Sequence, residues 1–98
     1  MTDTLTDVLL AEGYHPVRQL PDGTWIGLRQ MMYTTGLFTG LDHYGYRCRY
    51  CYETAGQALV DLARWDGTGD PPGLWIKAKG KGGDRLNPRL GDPDFDGV

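Results

Sequence analysis

The period of the apolar positions changes repeatedly along this chain, and each change marks an element. Leu5, Val8 and Leu9 recur at helical spacing. Thr4, with Asp7 three residues on, suits the start of a helix, and Gly13 suits its stop. So short a helix cannot hold itself together in water and has to dock on something larger. Tyr14 to Leu20 then reads as extended chain, broken by Pro21-Asp22-Gly23. That triplet makes a turn because Pro sets φ, Asp bonds locally and Gly accepts a positive φ. A second strand begins at Thr24, Trp25 and Ile26, which predicts a hairpin. Met31 to Leu41 is a third extended segment, in which Gly36 and Gly40 predict a bulge or a close backbone approach. Arg29-Gln30-Met31-Met32 carries no turn signal, so the boundary between the second and third strands is not marked.

Asp42-His43-Tyr44-Gly45 is the next turn, and Tyr46 to Tyr52 follows with clean alternation. A period of two puts Tyr46, Cys48, Tyr50 and Tyr52 on one side of a sheet, toward the core, and Arg47, Arg49 and Cys51 on the other. Thr54 with Gln57 is a capping-box pattern opening a second helix. Ala55, Ala58, Leu59, Leu62 and Ala63 form its apolar stripe, Trp65 finishes it, and Gly67 is its left-handed stop. Pro71-Pro72 stiffens the loop after it, and Leu74 to Lys79 reads as a last short strand. The fold class is therefore α+β: an antiparallel sheet of about four to five strands, one main helix (54–66) packed on one face, and a short N-terminal helix. Residues 1–80 form the compact domain. Residues 81–98, rich in Gly, Asp and Pro, read as a flexible tail.

Ninety-eight residues make one domain with a modest core and little room for a deep interlobe cleft. No nucleophile sits on a strained elbow or beside a glycine-rich oxyanion turn, so the expected class is a binding protein, not an enzyme, with no cofactor. No apolar run reaches the roughly 20 residues of a membrane span, and the start carries Asp3 and Asp7 with no basic residue before Glu12. With two cysteines three positions apart, a reducing cytoplasm is the expected compartment. The net charge of −3 is unevenly placed. Setting aside Asp3, Asp7, Glu12, Asp92, Asp94 and Asp96 leaves seven acids against ten basic residues, so the middle of the chain is about +3. The overall balance disfavours generic coating of nucleic acid but leaves room for a local basic patch.

Cys48 and Cys51, with His15 and His43, compose a Cys2His2 set only on paper. Residues three apart on a strand point to opposite faces, whereas zinc pairs sit on a tight knuckle and redox pairs at a helix N-terminus. No metal site is expected. Gly80-Lys81-Gly82-Gly83 lacks the Ser/Thr, the helix and the spacing of a phosphate loop. Lys77, Lys79 and Lys81 alternate, and Arg47 and Arg49 share a face of their own strand. Together they predict a basic patch rimmed by Tyr44 and Trp75, a docking surface for an acidic partner or a nucleic-acid backbone. The plainer account is a solvated edge whose lysines discourage aggregation. Trp25, Trp65 and Trp75 suit a core. With three Trp and six Tyr in so short a chain, some aromatic surface is expected to stay exposed. The partner-binding candidates are Tyr44, Arg47, Arg49, Trp75, Lys77 and Lys79.

Met32-Tyr33-Thr34, Gly40-Leu41-Asp42, Gly45-Tyr46, Arg49-Tyr50-Cys51-Tyr52, Ala58-Leu59, Trp65-Asp66-Gly67-Thr68-Gly69, Pro71-Pro72-Gly73 and Trp75-Ile76-Lys77 resemble a family of small proteins from phages and prophages of high-GC bacteria. The resemblance spans about Tyr14 to Gly80, and its distinctive parts are the Arg-x-Cys-Tyr strand and the Trp-Asp-Gly-x-Gly corner. Similar proteins are associated with inhibition of type I-C CRISPR surveillance complexes. The resemblance implies a non-catalytic inhibitor in the cytoplasm of a bacterial host. Such an inhibitor would be a monomer or weak dimer, bind an RNA-guided protein complex of bacterial defence in competition with nucleic acid, and have no membrane association. The long segment after Gly80 departs from the shorter ends that the resemblance implies.

Overall fold

A computed structural model describes residues 5–80 and 83–87 of the chain. The elements run in the order α1 (Leu5–Ala11), β1 (Val17–Gln19), β2 (Trp25–Gln30), β3 (Thr35–Leu41), β4 (Cys48–Tyr52), α2 (Ala55–Arg64), β5 (Lys77–Gly80) and β6 (Gly83–Leu86). The six strands form one antiparallel sheet in sequence order, β1 to β6. The α+β reading holds, with one strand more than expected and with α2 packed on one face of the sheet. Among the described residues, no helix is long and apolar enough to cross a membrane.

The register sorts the side chains into two faces. One row crosses the whole sheet from Val17 through Gly27, Phe38, Arg49 and Lys79 to Asp84. The neighbouring row, Leu28, Leu37, Tyr50, Ala78 and Arg85, points the other way. That second face carries the main core: Ile26, Leu28, Leu37, Tyr50 and Tyr52 meet Ala58, Leu62 and Trp65, with Trp75 beside them. The first face carries a smaller cluster of Leu9, Tyr14, Phe38 and Leu41, so α1 does dock on the sheet. Thr4, its expected cap, lies outside the described residues.

Several expectations change. Met31–Thr34 is a tight turn closed by Met31 N–H to Thr34 C=O at 2.7 Å, so β3 begins only at Thr35. The turn has no Gly or Pro to announce it, and its tip residues Met32 and Tyr33 stand in solvent. Gly40 adopts φ +67° beside a register shift, which is the expected bulge. The bulge resets the alternation, so Leu41 joins the Phe38 face. Tyr46 does the same: its ring packs edge-on against Phe38 at 4.7 Å instead of lining up with Tyr50.

The capping box of Thr54 and Gln57 is formed. The far end of α2 closes differently from the expectation. Trp65 is the C-cap, and the last carbonyls are met by Arg18, whose guanidinium donates to Leu62 O at 2.9 Å and Trp65 O at 2.7 Å. Gly67 does take a positive φ, but in the turn beyond the cap. Leu59 and Ala63 are exposed, and the inward face is Ala58, Asp61 and Leu62. Asp61 is fully buried. It accepts from Tyr52 Oη at 2.7 Å, Gly73 N–H at 2.9 Å and Arg64 Nε at 3.2 Å, which ties helix, strand and following loop together.

The compact domain also extends past residue 80. Part of the expected tail is β6, held because Arg85 grips Asp70 with two hydrogen bonds and lies over the Trp75 ring at 5.4 Å. Asn87 is buried and donates to Trp75 O at 3.0 Å. Lys81, Gly82 and residues 88–98 lie outside the described residues.

Burial holds the Tyr52 phenol well above its ordinary value of 10, and its bond to Asp61 adds to the shift; Tyr50 is raised by burial and by its bond to Asp70. A phenol raised on folding keeps its proton longer in the folded chain than in the unfolded one. Its stabilisation is therefore complete below about pH 10 and declines above it. Between pH 10 and 11 Tyr52 is expected to remove about 1 kcal/mol of stability, and Tyr50 acts in the same direction. Urea titrations of Tyr52→Phe should show a shallower alkaline decline than the parent chain.

Candidate functional site

The described surface has one cationic strip, on the Phe38 side of the sheet over β4 to β6. Arg49 and Lys79 are direct cross-strand partners, and Lys77 pairs with Cys51 in the next row of the same face. They arrive together because β4 and β5 both alternate strictly: Arg49 and Cys51 face one way while Tyr50 and Tyr52 face the core. The Leu9–Tyr14–Phe38–Leu41 cluster draws on β1, β2 and β3 but takes nothing from β4 to β6, where charged residues occupy this face instead. Like charges set directly opposite each other strain a ladder. The relief comes from Asp84 of β6, whose carboxylate lies 3.3 Å from Lys77 Nζ and 3.9 Å from Lys79 Nζ. Arg49 Nε is buried and has no hydrogen-bond partner among the described residues.

The strip runs into the β3–β4 connection through Tyr46, which packs on Phe38, the cross-strand neighbour of Arg49. This connection is built by Asp42, whose carboxylate accepts Tyr44 N–H at 2.7 Å and Gly45 N–H at 3.0 Å. The turn holds Tyr44 out at 98% exposure, so its ring is available to a partner without any rearrangement of the core. Tyr44, Gly45, Tyr46, Arg47, Asp42 and Gly40 line a shallow groove of about 250 Å³. That is below the usual roughly 300–1,000 Å³ of a small-molecule site, and it suits a side chain better than a substrate.

Of the six residues expected to bind a partner, Arg49, Lys77 and Lys79 come together on one face. Tyr44 and Arg47 flank them on the adjoining loop, where Arg47 packs over Gly40. Arg47 also pulls on Asp22, whose carboxyl is held below its ordinary value chiefly by the Thr24 backbone N–H. Trp75 does not belong to the set. It is 1% exposed, sits in the main core against Tyr50 at 5.0 Å, and donates its indole N–H to Pro71 O at 3.1 Å. The tight 71–73 loop turns it inward, so the patch has no tryptophan rim. Lys81 lies outside the described residues.

Sequence reasoning missed Tyr46, Asp84 and the tip pair Met32–Tyr33. Tyr46 was hidden because the expected alternation does not reach it: β4 begins only at Cys48. Asp84 was hidden because a strand of Gly, Asp, Arg and Leu carries no apolar pattern. Cys48 and Cys51 are both free thiols on opposite faces, and burial pushes the Cys48 thiol up. His15 begins the approach to β1, bonded through its N–H to Leu28 of β2, and His43 stands exposed in the β3–β4 turn. Among the described residues, no three His, Cys, Asp or Glu side chains gather where they could hold a metal ion.

No protein-family model, curated protein or solved structure matches the chain.

Proposed function

We propose that this chain is a non-catalytic binding protein of phage or prophage origin that inhibits a type I-C RNA-guided surveillance complex by docking on it and obstructing target DNA. The observation that carries the binding reading is the pairing of two solvent-facing tyrosines, Tyr44 and Tyr46, with the Arg49–Lys79–Lys77 strip. Tyrosine and arginine are the usual anchors of protein interfaces, because tyrosine covers much area at little entropic loss and the planar arginine fork makes several hydrogen bonds at once. The identity of the complex rests on the motif resemblance, from Met32-Tyr33-Thr34 to Trp75-Ile76-Lys77. The cytoplasm of a bacterial host follows from the same reading.

Co-purification with a type I-C complex, together with a phage-protection assay, tests the proposal. The chain should be retained by the complex and restore phage growth. Tyr44→Ala should weaken retention at least about tenfold, in line with an interface anchor. It should leave the melting temperature within a few degrees, because a side chain 98% exposed contributes little to folding. If the parent chain is not retained and growth is not restored, the proposal fails.

A second reading has its own observation. Cross-strand neighbours Arg49 and Lys79 gather like charge where a fold gains nothing from it, as a nucleic-acid-binding accessory protein would.

A further inference from the structure

The cationic strip carries more information than its charge. Asp84 answers Lys77 and Lys79, yet Arg49 has no carboxylate partner among the described residues, and its Nε is buried without an acceptor. A half-buried guanidinium with no carboxylate partner calls for an explanation, and an anion meeting the part of the side chain that remains open to solvent supplies one. Lys77 and Lys79 stand two residues apart on one face, roughly 6.6 Å along the strand, with Arg49 one strand away. Beside them Tyr46 is 44% exposed, its ring fixed edge-on by Phe38.

We infer that Arg49, Lys79 and Lys77 seat the phosphodiester backbone of a single-stranded nucleic acid, with Tyr46 stacking on a base and Asp84 as the internal anion that phosphate displaces. The guanidinium fork suits phosphate oxygens, and the alternate lysines let successive phosphates of an extended strand meet successive ammonium groups. The aromatic ring separates this occupant from an acidic peptide. A cationic track with a stacking ring beside it is how sheet surfaces hold unpaired bases, whereas carboxylates need only the charge. A duplex offers no free base face to Tyr46, and a chain of net charge −3 is poorly suited to coat one. The inference shares its face with the inhibitor reading and deepens it by naming the chemistry that face contacts.

Fluorescence anisotropy with a labelled single-stranded oligonucleotide of about twelve nucleotides, DNA and RNA in turn, tests it. Lys79→Gln and Arg49→Gln are each expected to weaken binding about tenfold, and Arg49→Lys to recover only part of the loss. Asp84→Asn is expected to strengthen binding about threefold, a gain that a purely structural role for Asp84 would not produce. The logarithm of affinity should fall with that of salt at a slope near −2, as about three neutralised phosphates require. Should Arg49→Gln fail to fold, the solvent-facing Lys79→Gln and Asp84→Asn pair carries the test. Three results overturn the inference: no binding by the native chain at low salt, weaker binding by Asp84→Asn, or competition by a glutamate-rich peptide equal to that of the oligonucleotide. The last would assign the strip to an acidic protein. Retention on the surveillance complex is measured in parallel. Retention without oligonucleotide binding removes this inference alone. Oligonucleotide binding without retention removes the inhibitor reading alone.

Discussion

Asp61→Ala is expected to destabilise the domain by about 3–5 kcal/mol, the largest single effect predicted for a side-chain truncation in this chain. Asp61 is fully buried and its Oδ2 takes two donors, the Tyr52 hydroxyl at 2.7 Å and the Gly73 N–H at 2.9 Å. Alanine takes this acceptor from the buried Tyr52 hydroxyl and the half-buried Gly73 N–H, at about 1–3 kcal/mol each, and opens a void beside Tyr52 and the 71–73 loop. For a domain of this size the loss corresponds to a fall in Tm of roughly 15 °C or more. Asp61→Asn separates the hydrogen bonds from the charge. Its amide oxygen can keep both donors, while its NH2 turns toward Arg64, which is half in solvent. The asparagine variant should therefore lose only about 1 kcal/mol. Equal losses from the two variants, measured by urea denaturation, would mean that the charge and not the two donors is what the fold uses. Gly73→Ala probes the same node from the other side. A Cβ there would stand 2.5 Å from both carboxylate oxygens, so it must displace the side chain it is bonded beside.

That node shows what sequence periodicity conveys and what it does not. The helix itself was legible: Thr54 and Gln57 announced its start, and of the expected stripe Ala58, Leu62 and Trp65 do face inward while Ala55, Leu59 and Ala63 are exposed. Asp61 lies on that same inner face, but a carboxylate amid apolar positions reads as a surface residue until its partners are known. Those partners come from Tyr52 and Gly73, which only the fold brings near. Arg18 is the same case at the end of the helix, since nothing local links it to the Leu62 and Trp65 carbonyls 44 and 47 positions away. The sheet was legible wherever alternation ran unbroken, as in Cys48–Tyr52, and failed just before the strand, as at Tyr46. β6 was missed because its four residues are all exposed and are held by Arg85 and Asp70, not by apolar burial.

The candidate site divides along the same line. Arg49, Lys77 and Lys79 were legible because each lies on a regular strand, so parity alone put them on the face away from the core. Their grouping into one patch was expected, but parity alone did not fix it, because the order of strands decides it, and β4 and β5 are neighbours across the whole length of α2 and its following loop. Trp75 went wrong for a physical reason as well. Parity does place it on the face of Lys77, but it precedes β5, and the 71–73 loop rotates it into the core.

The second large effect is expected at the Trp65-Asp66-Gly67 corner, where Gly67→Val should cost about 2–6 kcal/mol. Two independent terms add. Gly67 holds φ +91°, a region that a β-branched residue enters only with strain of about 1–3 kcal/mol. A Cβ at this position would also lie 2.7 Å from Leu20 Cδ1, a buried member of the main core. Relieving that overlap means moving a packed leucine, typically at about 1–3 kcal/mol. Gly69→Ala isolates the first term, because Gly69 also has a positive φ, +63°, but open space where its Cβ would project. It should lose only about 1 kcal/mol. Thermal melts of the two variants therefore measure different things. A Gly67→Val loss no larger than that of Gly69→Ala would mean that Leu20 yields freely and that the corner is not packed as described. A larger loss makes the corner a structural hinge-point, where the chain leaves α2 under Leu20 and enters the Asp70–Gly73 loop that turns Trp75 inward and sets the lysines of β5 on the outer face.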